Sequence, residues 1–411
     1  MSSRKLILSF IAVFLLLSLS FVGVGEADSL VWSQTYGGIE EEGAHSVIET
    51  SDGGYAMVGG ARLFKTDEFG NLEWNQTYSS GGSSAVHSGG SSFVQTSDGG
   101  YAIAKDNRLF KTNSTGHMEW NQTYGDGRAA SLVATSDGGY AISGSAPDGT
   151  GWGDFWLVKT DALGNMEWSN KYGGEFGEGG SSVLETTDGG YILFGISCPQ
   201  PSLEMMPSEL LIVKTDAYGN MTWNNTLSIN ALMYYYSAVE ASDGGYVIAG
   251  TTHSKIGRSY DAWLAKVNDA GNLEWHQEYG GTSEDSAKSL VATLDGGYAI
   301  CGTTKSFPTQ GGYDFWLLKT DATGNMEWNK TYGGISEDVA RSLVATSDGG
   351  YALAGYTKSF GAGSYDVWLV KTDEVGFVPE YSSLLIPSLL LTATLVIVIY
   401  KKFFDGHPIE S

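Results

Sequence analysis

Val31-Trp32-Ser33-Gln34-Thr35-Tyr36-Gly37-Gly38, near the start of the chain, reads as a strand without a sheet of its own. Six later segments share its pattern, with tryptophans at Trp74, Trp120, Trp168, Trp223, Trp275 and Trp328. Asn325-Met326-Glu327-Trp328-Asn329-Lys330-Thr331-Tyr332 shows the type: it is rich in aromatic and branched residues and follows the turn Asp321-Ala322-Thr323-Gly324. The last unit breaks the rule. Lys371-Thr372-Asp373-Glu374-Val375-Gly376 leads into Phe377-Val378-Pro379, with no tryptophan. The strand missing at the end is the strand in surplus at the beginning. An open solenoid has no need of such a displacement, whereas a closed ring needs it to remove two sheet edges. The chain is therefore expected to be all-β: a seven-bladed β-propeller with four antiparallel strands per blade, closed by an N-terminal strand that completes the last blade.

The repeat itself is marked by Asp-Gly-Gly-Tyr, which begins at Asp52, Asp98, Asp137, Asp188, Asp243, Asp295 and Asp348, a period of roughly 40 to 55 residues. In the last unit, Ser342 to Thr346 reads as strand A, Tyr351 to Gly355 as strand B and Asp366 to Thr372 as strand C; the tryptophan segment is strand D. Asp-Gly-Gly supplies positive-φ positions, and Asp-x-x-Gly-Asn suits a short hairpin loop with its glycine left-handed. If Asp321 faces Asn325 across such a loop, Lys319 lies opposite Glu327. The same offset joins Lys65 to Glu73, Lys111 to Glu119, Lys159 to Glu167 and Lys266 to Glu274, cross-strand pairs contributing about 0.2 to 1 kcal/mol each. Through the Asp-Gly-Gly-Tyr and Trp-Leu-x-Lys-Thr-Asp segments, about 350 residues resemble the secreted seven-bladed, SBBP-like propeller repeat proteins of bacteria and archaea. That resemblance implies a surface scaffold and no particular chemistry.

The flanks speak of export. Arg4-Lys5, an apolar run from Leu6 to Val24 and Gly25-Glu26-Ala27 form a secretory signal over residues 1–27, with cleavage after Ala27. Residues 28–378 are then the ectodomain, 379–402 a transmembrane anchor or sorting signal, and 403–411 a short cytoplasmic tail. Leu384 to Tyr400 is nearly continuous apolar sequence, and Lys401-Lys402 keep the tail inside. Pro379-Glu380-Tyr381 followed by that run and the lysines resembles the PEF-type sorting signals of archaeal surface proteins, which implies removal of the helix in favour of another anchor. A plain stop-transfer helix is the alternative. A single-pass cell-surface protein with its bulk outside is expected, and the closed ring points to a monomer.

A net charge of −24 excludes nucleic acid as a partner and favours cations or basic surfaces. Cys198 and Cys301 lie in repeats that are not neighbours, so no disulfide is expected. The A-B and C-D turns share one face of the ring and the B-C and D-A loops the other. Only the second face varies in length and composition, as a ligand-facing rim does. Its acidic pairs Glu41-Glu42, Glu284-Asp285 and Glu337-Asp338 belong to blades one, six and seven, which closure makes neighbours. They are candidate ligands for Ca²⁺ or another hard cation; salt bridging with Lys288, Lys305, Arg341 and Lys358 is the alternative. Tyr234, Tyr235 and Tyr236 are candidates for stacking on a sugar, or else the first residues of a strand. Sequons at Asn75, Asn113, Asn121, Asn220, Asn224 and Asn329 make a glycoprotein expected, four of them on strand D. No nucleophile elbow, HExxH motif or adjacent cysteine pair occurs. The expectation is a non-catalytic propeller, with no cofactor, that binds an envelope protein or glycan; the alternative is an extracellular carbohydrate-active enzyme using rim carboxylates such as Glu178 or Glu284.

Overall fold

The computed structural model describes residues 31–378 apart from 39–40, 61, 79–91, 149–152, 175–176, 199–208, 229–232, 254–258 and 309–310. The signal over 1–27 and the anchor and tail over 379–411 lie outside the described residues. Among those described, no helix is long and apolar enough to cross a membrane.

Seven four-stranded antiparallel sheets make up the fold, and six of them follow chain order. The seventh does not: Trp32–Tyr36 pairs with Asp366–Thr372, which continues to Tyr351–Thr357 and Asp338–Ala345. Its register runs from Trp32 opposite Lys371 to Tyr36 opposite Val367. The displaced strand thus completes blade 7, and strand A of each blade touches strand A of the next around the whole ring.

Strands B and C are buried almost throughout, and the hydrophobic clusters lie between blades rather than within them. One joins Trp32, Val367 and Leu369 of blade 7 to Val47, Met57 and Phe64 of blade 1; equivalent clusters fill the other junctions. The repeated tryptophan explains itself here. Trp32, Trp74, Trp120, Trp168, Trp223, Trp275 and Trp328 each lie against the positive-φ glycine of the next blade's C-D turn, Gly70, Gly116, Gly164, Gly219, Gly271, Gly324 and Gly376. A Cβ at any of these glycines would collide with the indole. The tyrosine four residues on donates to the same glycine's carbonyl, as Tyr36 does to Gly70 (2.7 Å) and Tyr124 to Gly164 (2.7 Å). In blade 4, where Leu227 replaces that tyrosine, Asn225 donates to Gly271 O instead (2.8 Å).

Strand A starts earlier than the sequence suggests in blades 3 to 7, because a bulge adds a residue: in blade 7 it begins at Asp338, with the irregularity between Ala340 and Ser342. A serine of strand A, the one after the bulge in blades 3, 6 and 7, serves the next blade. Its hydroxyl accepts the N–H of Val47 from Ser342 (3.1 Å), of Leu132 from Ser92 (3.1 Å), of Val183 from Ser131 (3.4 Å) and of Leu343 from Ser289 (3.2 Å). An innermost strand has no partner on its inner edge, and these hydroxyls satisfy donors that would otherwise be left unpaired.

The Lys-Glu pairs form as expected, although not by the expected register. Lys319 sits opposite Trp328, and Glu327 is the extra residue of a bulge, yet its carboxylate still reaches Lys319 at 2.9 Å. The stronger partner is the turn aspartate. All seven repeated lysines are buried and bind the Asp of their own blade's Asp-Gly-Gly turn, from Lys65 with Asp52 (2.9 Å) to Lys371 with Asp348 (2.8 Å). In six blades the ammonium also donates to the carbonyl of the next residue, a threonine. Hydrogen bonds from Lys111 and Thr96 hold the Asp98 carboxyl down to about 2. Burial opposes the same effect at Asp137 and Asp295, but the bonds from Lys159 and Lys319 prevail and bring both to about 2.

Candidate functional site

The loop face is asymmetric because its blades differ in length. In blades 1 and 2 the B-C connection is a tight hairpin, with Gly59 opposite Arg62 and Lys105 opposite Arg108. Blades 6 and 7 extend further and carry the same motif twice: Thr304-Lys305-Ser306-Phe307 and Thr357-Lys358-Ser359-Phe360. Both copies fold alike. Lys305 lies over the Tyr313 ring (4.1 Å to its centroid) and pairs with Glu284 (3.2 Å); Lys358 lies over Tyr365 (4.2 Å) and pairs with Glu337 (3.2 Å). Tyr313 donates to Glu284, and Tyr356 donates to Glu337 at 3.4 Å with the Arg341 guanidinium over its ring (5.5 Å). Phe307, Ile335 and Phe360 stand exposed beside these stations. The tyrosine and Lys305 hydrogen bonds hold the Glu284 carboxyl below its usual range.

Closure does bring the loops of blades 6, 7 and 1 together. Asp338 N donates to Tyr313 O (2.6 Å) and Glu42 N to Tyr365 O (2.9 Å), while Ser364 donates to Glu41 (3.3 Å). The acidic pairs split into two roles. Glu284 and Glu337 take cations and tyrosines at the surface. Asp285 and Asp338 are buried first residues of strand A, each accepting from its loop: Gly281 N (2.8 Å) and Ser306 Oγ (2.6 Å) for Asp285, Gly334 N (2.9 Å) and Ser359 Oγ (2.7 Å) for Asp338, with Thr304 and Thr357 donating as well. Glu42 caps Gly38 N (2.9 Å) and bonds Arg62. Among the described residues, no group of three or more metal-ligating side chains converges.

A second carboxylate, which the sequence reading did not single out, faces this cap. The glycine after the strand D tyrosine has no room for a Cβ because carboxylates press on it: Asp366 and Glu42 at Gly37, Asp154 and Glu178 at Gly173, Asp261 and Asp285 at Gly280. Asp314 takes the same place at Gly333, beside the Gly334 that Asp338 caps. Burial pushes the carboxyls of Asp154, Glu178 and Asp366 up; Asp154 adds to the rise at Glu178, and Glu42 to that at Asp366. The signal was present in the sequence as Tyr-Gly-Gly followed four residues later by an acid, and as the Asp that opens strand C.

Tyr234, Tyr235 and Tyr236 all belong to strand A of blade 5, Met233–Glu240. Tyr234 is half-exposed and tilted against Tyr260 at 6.2 Å between ring centroids, and the bulge falls between Tyr235 and Ser237. Asn75, Asn121 and Asn224 are exposed on strand D, whereas Asn329 is half-buried and accepts from Trp316 Nε1 (3.3 Å). Asn113 is used within its turn, accepting from Thr115 N (3.0 Å) and His117 N (2.9 Å), and Asn220 donates to Asp216 (2.9 Å). Cys198 and Cys301 are both free.

No protein-family model matches this chain. Over 135 residues it is 31% identical to the regulatory protein FlaEY of Caulobacter vibrioides, a match covering 30% of this chain and 14% of that protein's length. Among solved structures, BBS1N in complex with ARL6DN superposes with a TM-score of 0.50 at 8% identity, covering 85% of this chain and 96% of that one. A protein of unknown function from Bacteroides caccae gives a TM-score of 0.44 at 12% identity over 73% of this chain and 98% of its own. The likeness to BBS1N is one of fold alone.

Proposed function

We propose that this chain is a secreted, membrane-anchored scaffold of the cell surface that binds an envelope glycan or protein through the loop face of blades 6 and 7, beside the seam with blade 1. The observation that carries the reading is the duplicated station of lysine, tyrosine, glutamate and phenylalanine on adjacent blades. Stacked cation and aromatic groups with exposed apolar neighbours are the composition of a recognition patch, while blades 1 and 2 present short hairpins at the same height. The SBBP-like resemblance, export signal, strand D sequons and C-terminal apolar segment fit a surface glycoprotein. The alternative, an extracellular carbohydrate-active enzyme, draws on Asp154 and Glu178, whose carboxyls are both raised. Recurrence of that arrangement at other junctions favours a joint over a catalytic dyad.

The test is a binding screen of the exported chain against glycans and envelope fractions, with polysaccharide cleavage assayed in parallel. Binding that drops at least about tenfold in a Lys305→Ala/Lys358→Ala variant is expected, in line with the loss of two cation contacts. Binding unaffected by that variant moves the site elsewhere, and cleavage abolished by Glu178→Gln replaces the reading with the enzymatic one.

A further inference from the structure

The two faces also differ in what they expose. Of the 16 large apolar side chains exposed among the described residues, 12 lie on the A-B/C-D turn face and four, Tyr234, Phe307, Ile335 and Phe360, on the loop face. The twelve are spread around the circumference. Leu72, Met118, Met166, Met221, Leu273 and Met326 open strand D in blades 1 to 6, each 41% to 56% exposed. Phe69, Leu163, Tyr218, Val375 and Phe377 stand on the C-D turns, and Leu294 on the A-B turn of blade 6 is fully exposed. Packing does not require this. Trp74 and its equivalents make the blade joint from the same strand, and polar residues at the neighbouring turn positions Thr115 and Thr323 fold into the same turns.

The chain leaves the ring on this face as well. Phe377 N donates to Asp373 Oδ1 (2.7 Å) within the last C-D turn, and Val378 is the final described residue. The apolar stretch Leu384 to Tyr400 begins six positions later, so its start lies within about 20 Å of the turn face even if the intervening chain is fully extended. From this geometry, and resting on the membrane anchor proposed above, we infer that the turn face is a bilayer-contact surface: the propeller lies flat on the lipid headgroups, its ring of apolar side chains entering the interface, and the loop face of blades 6 and 7 points away from the membrane. An interfacial contact of this kind gains affinity from the apolar area it buries, and its distribution over all seven blades selects a flat orientation over an edge-on one. The C-D turn aspartates Asp67, Asp161, Asp216, Asp321 and Asp373, hydrogen-bonded within their own turns, give the surface a negative rim, so uncharged headgroups are the matching lipid.

The experiment uses the full chain reconstituted in phosphatidylcholine vesicles. In a Cys198→Ser background, with the buried Cys301 kept, a single cysteine is introduced as Met166→Cys, Tyr218→Cys or Ile335→Cys and labelled with an environment-sensitive fluorophore. Brominated phosphatidylcholine is expected to quench the Met166→Cys and Tyr218→Cys labels, which sit at the headgroup and acyl boundary, and to leave Ile335→Cys unchanged. A Phe69→Ser/Leu163→Ser/Phe377→Ser variant changes only turn tips, so its thermal midpoint should hold while quenching at Met166→Cys falls. Three results overturn the inference: no quenching at either turn-face label although the chain floats with the vesicles, stronger quenching at Ile335→Cys than on the turn face, or a chain that does not float with vesicles at all.

Discussion

Asp98 on the turn face and Asp154 on the loop face are both single aspartates at the edge of a strand, and they titrate in opposite directions. Asp98 has a buried lysine, Lys111, at 2.8 Å and is held down to about 2. Asp154 shares a glycine with Glu178, and burial together with Asp148 pushes it up. The turn face neutralises its A-B turn aspartates within each blade, in seven copies of one Lys-Asp pair. The loop face places carboxylate beside carboxylate between blades and leaves the repulsion in place. Rigidity is therefore concentrated where the sequence repeats, and electrostatic tension where it varies. That division suits a scaffold whose loops are free to change while its blades are not.

The largest effect should come from removing what both faces depend on. Deleting residues 29–38 takes away strand D of blade 7 and the Trp32 and Tyr36 contacts to Gly70; the protein is expected to lose its cooperative monomeric melt, seen by calorimetry and light scattering. A deletion that melts like the parent breaks the closure model. Next in size is Lys371→Met, at the most buried of the repeated lysines, which leaves Asp348 without its cation and removes the ammonium donor to Thr372 O. With Asp348 partly solvated, a loss of about 2 kcal/mol is expected from denaturant unfolding at pH 7.

On the other face the sign reverses. Glu178→Gln relieves a like-charge contact and is expected to stabilise the chain by about 1 kcal/mol at pH 8. Because the folded pKa of Glu178 is raised, the wild-type penalty exists only while the carboxylate is charged, so the advantage of the variant should vanish as pH falls towards 4. For Asp98, Asp137 and Asp295 the folded pKa is depressed, so their contribution is present above about 4, the unfolded value, and is lost as pH falls through about 2. The wild-type melting midpoint should therefore rise on mild acidification and fall steeply only below about pH 4. A midpoint that declines steadily from pH 7 contradicts the contrast between the faces. The smallest effect is that of Tyr124→Phe, which removes one hydrogen bond to Gly164 O from a joint otherwise held by Trp120; a loss of about 1 kcal/mol is expected.

Much of this fold was legible because the determinants repeat. Trp32 without a sheet and Lys371-Thr372 without a following tryptophan define the ring before any coordinates. The Lys-Glu offset was also readable, although it was reached through a register that the bulge at Lys319 shifts by one residue. What escaped was most of the atomic contacts between blades. The junction of Asp154, Gly173 and Glu178, and the serine that accepts from the next blade's inner edge, join residues from different repeats or from the two ends of one. Periodicity within a unit carries no information about which atoms meet across a joint. The acidic loops show the limit most clearly: Glu284 and Asp285 are adjacent in sequence, yet one takes a lysine at the surface and the other lies buried under its own loop.

The strand swap also sets an order of events in time. Trp32–Tyr36 is synthesised before every other described strand, and its pairing partner, Asp366–Thr372, after all of them. Until the last blade has been made, the earliest strand has nothing to pair with, and blade 1 lacks the tryptophan that covers Gly70. Assembly must therefore pass through a stage with an unpaired leading strand, in which contacts distant in sequence form last and slowly. A second copy emerging nearby would offer the same empty edge, so the synthesis rate and spacing of neighbouring chains, rather than the stability of the finished ring, set the risk of exchange between them.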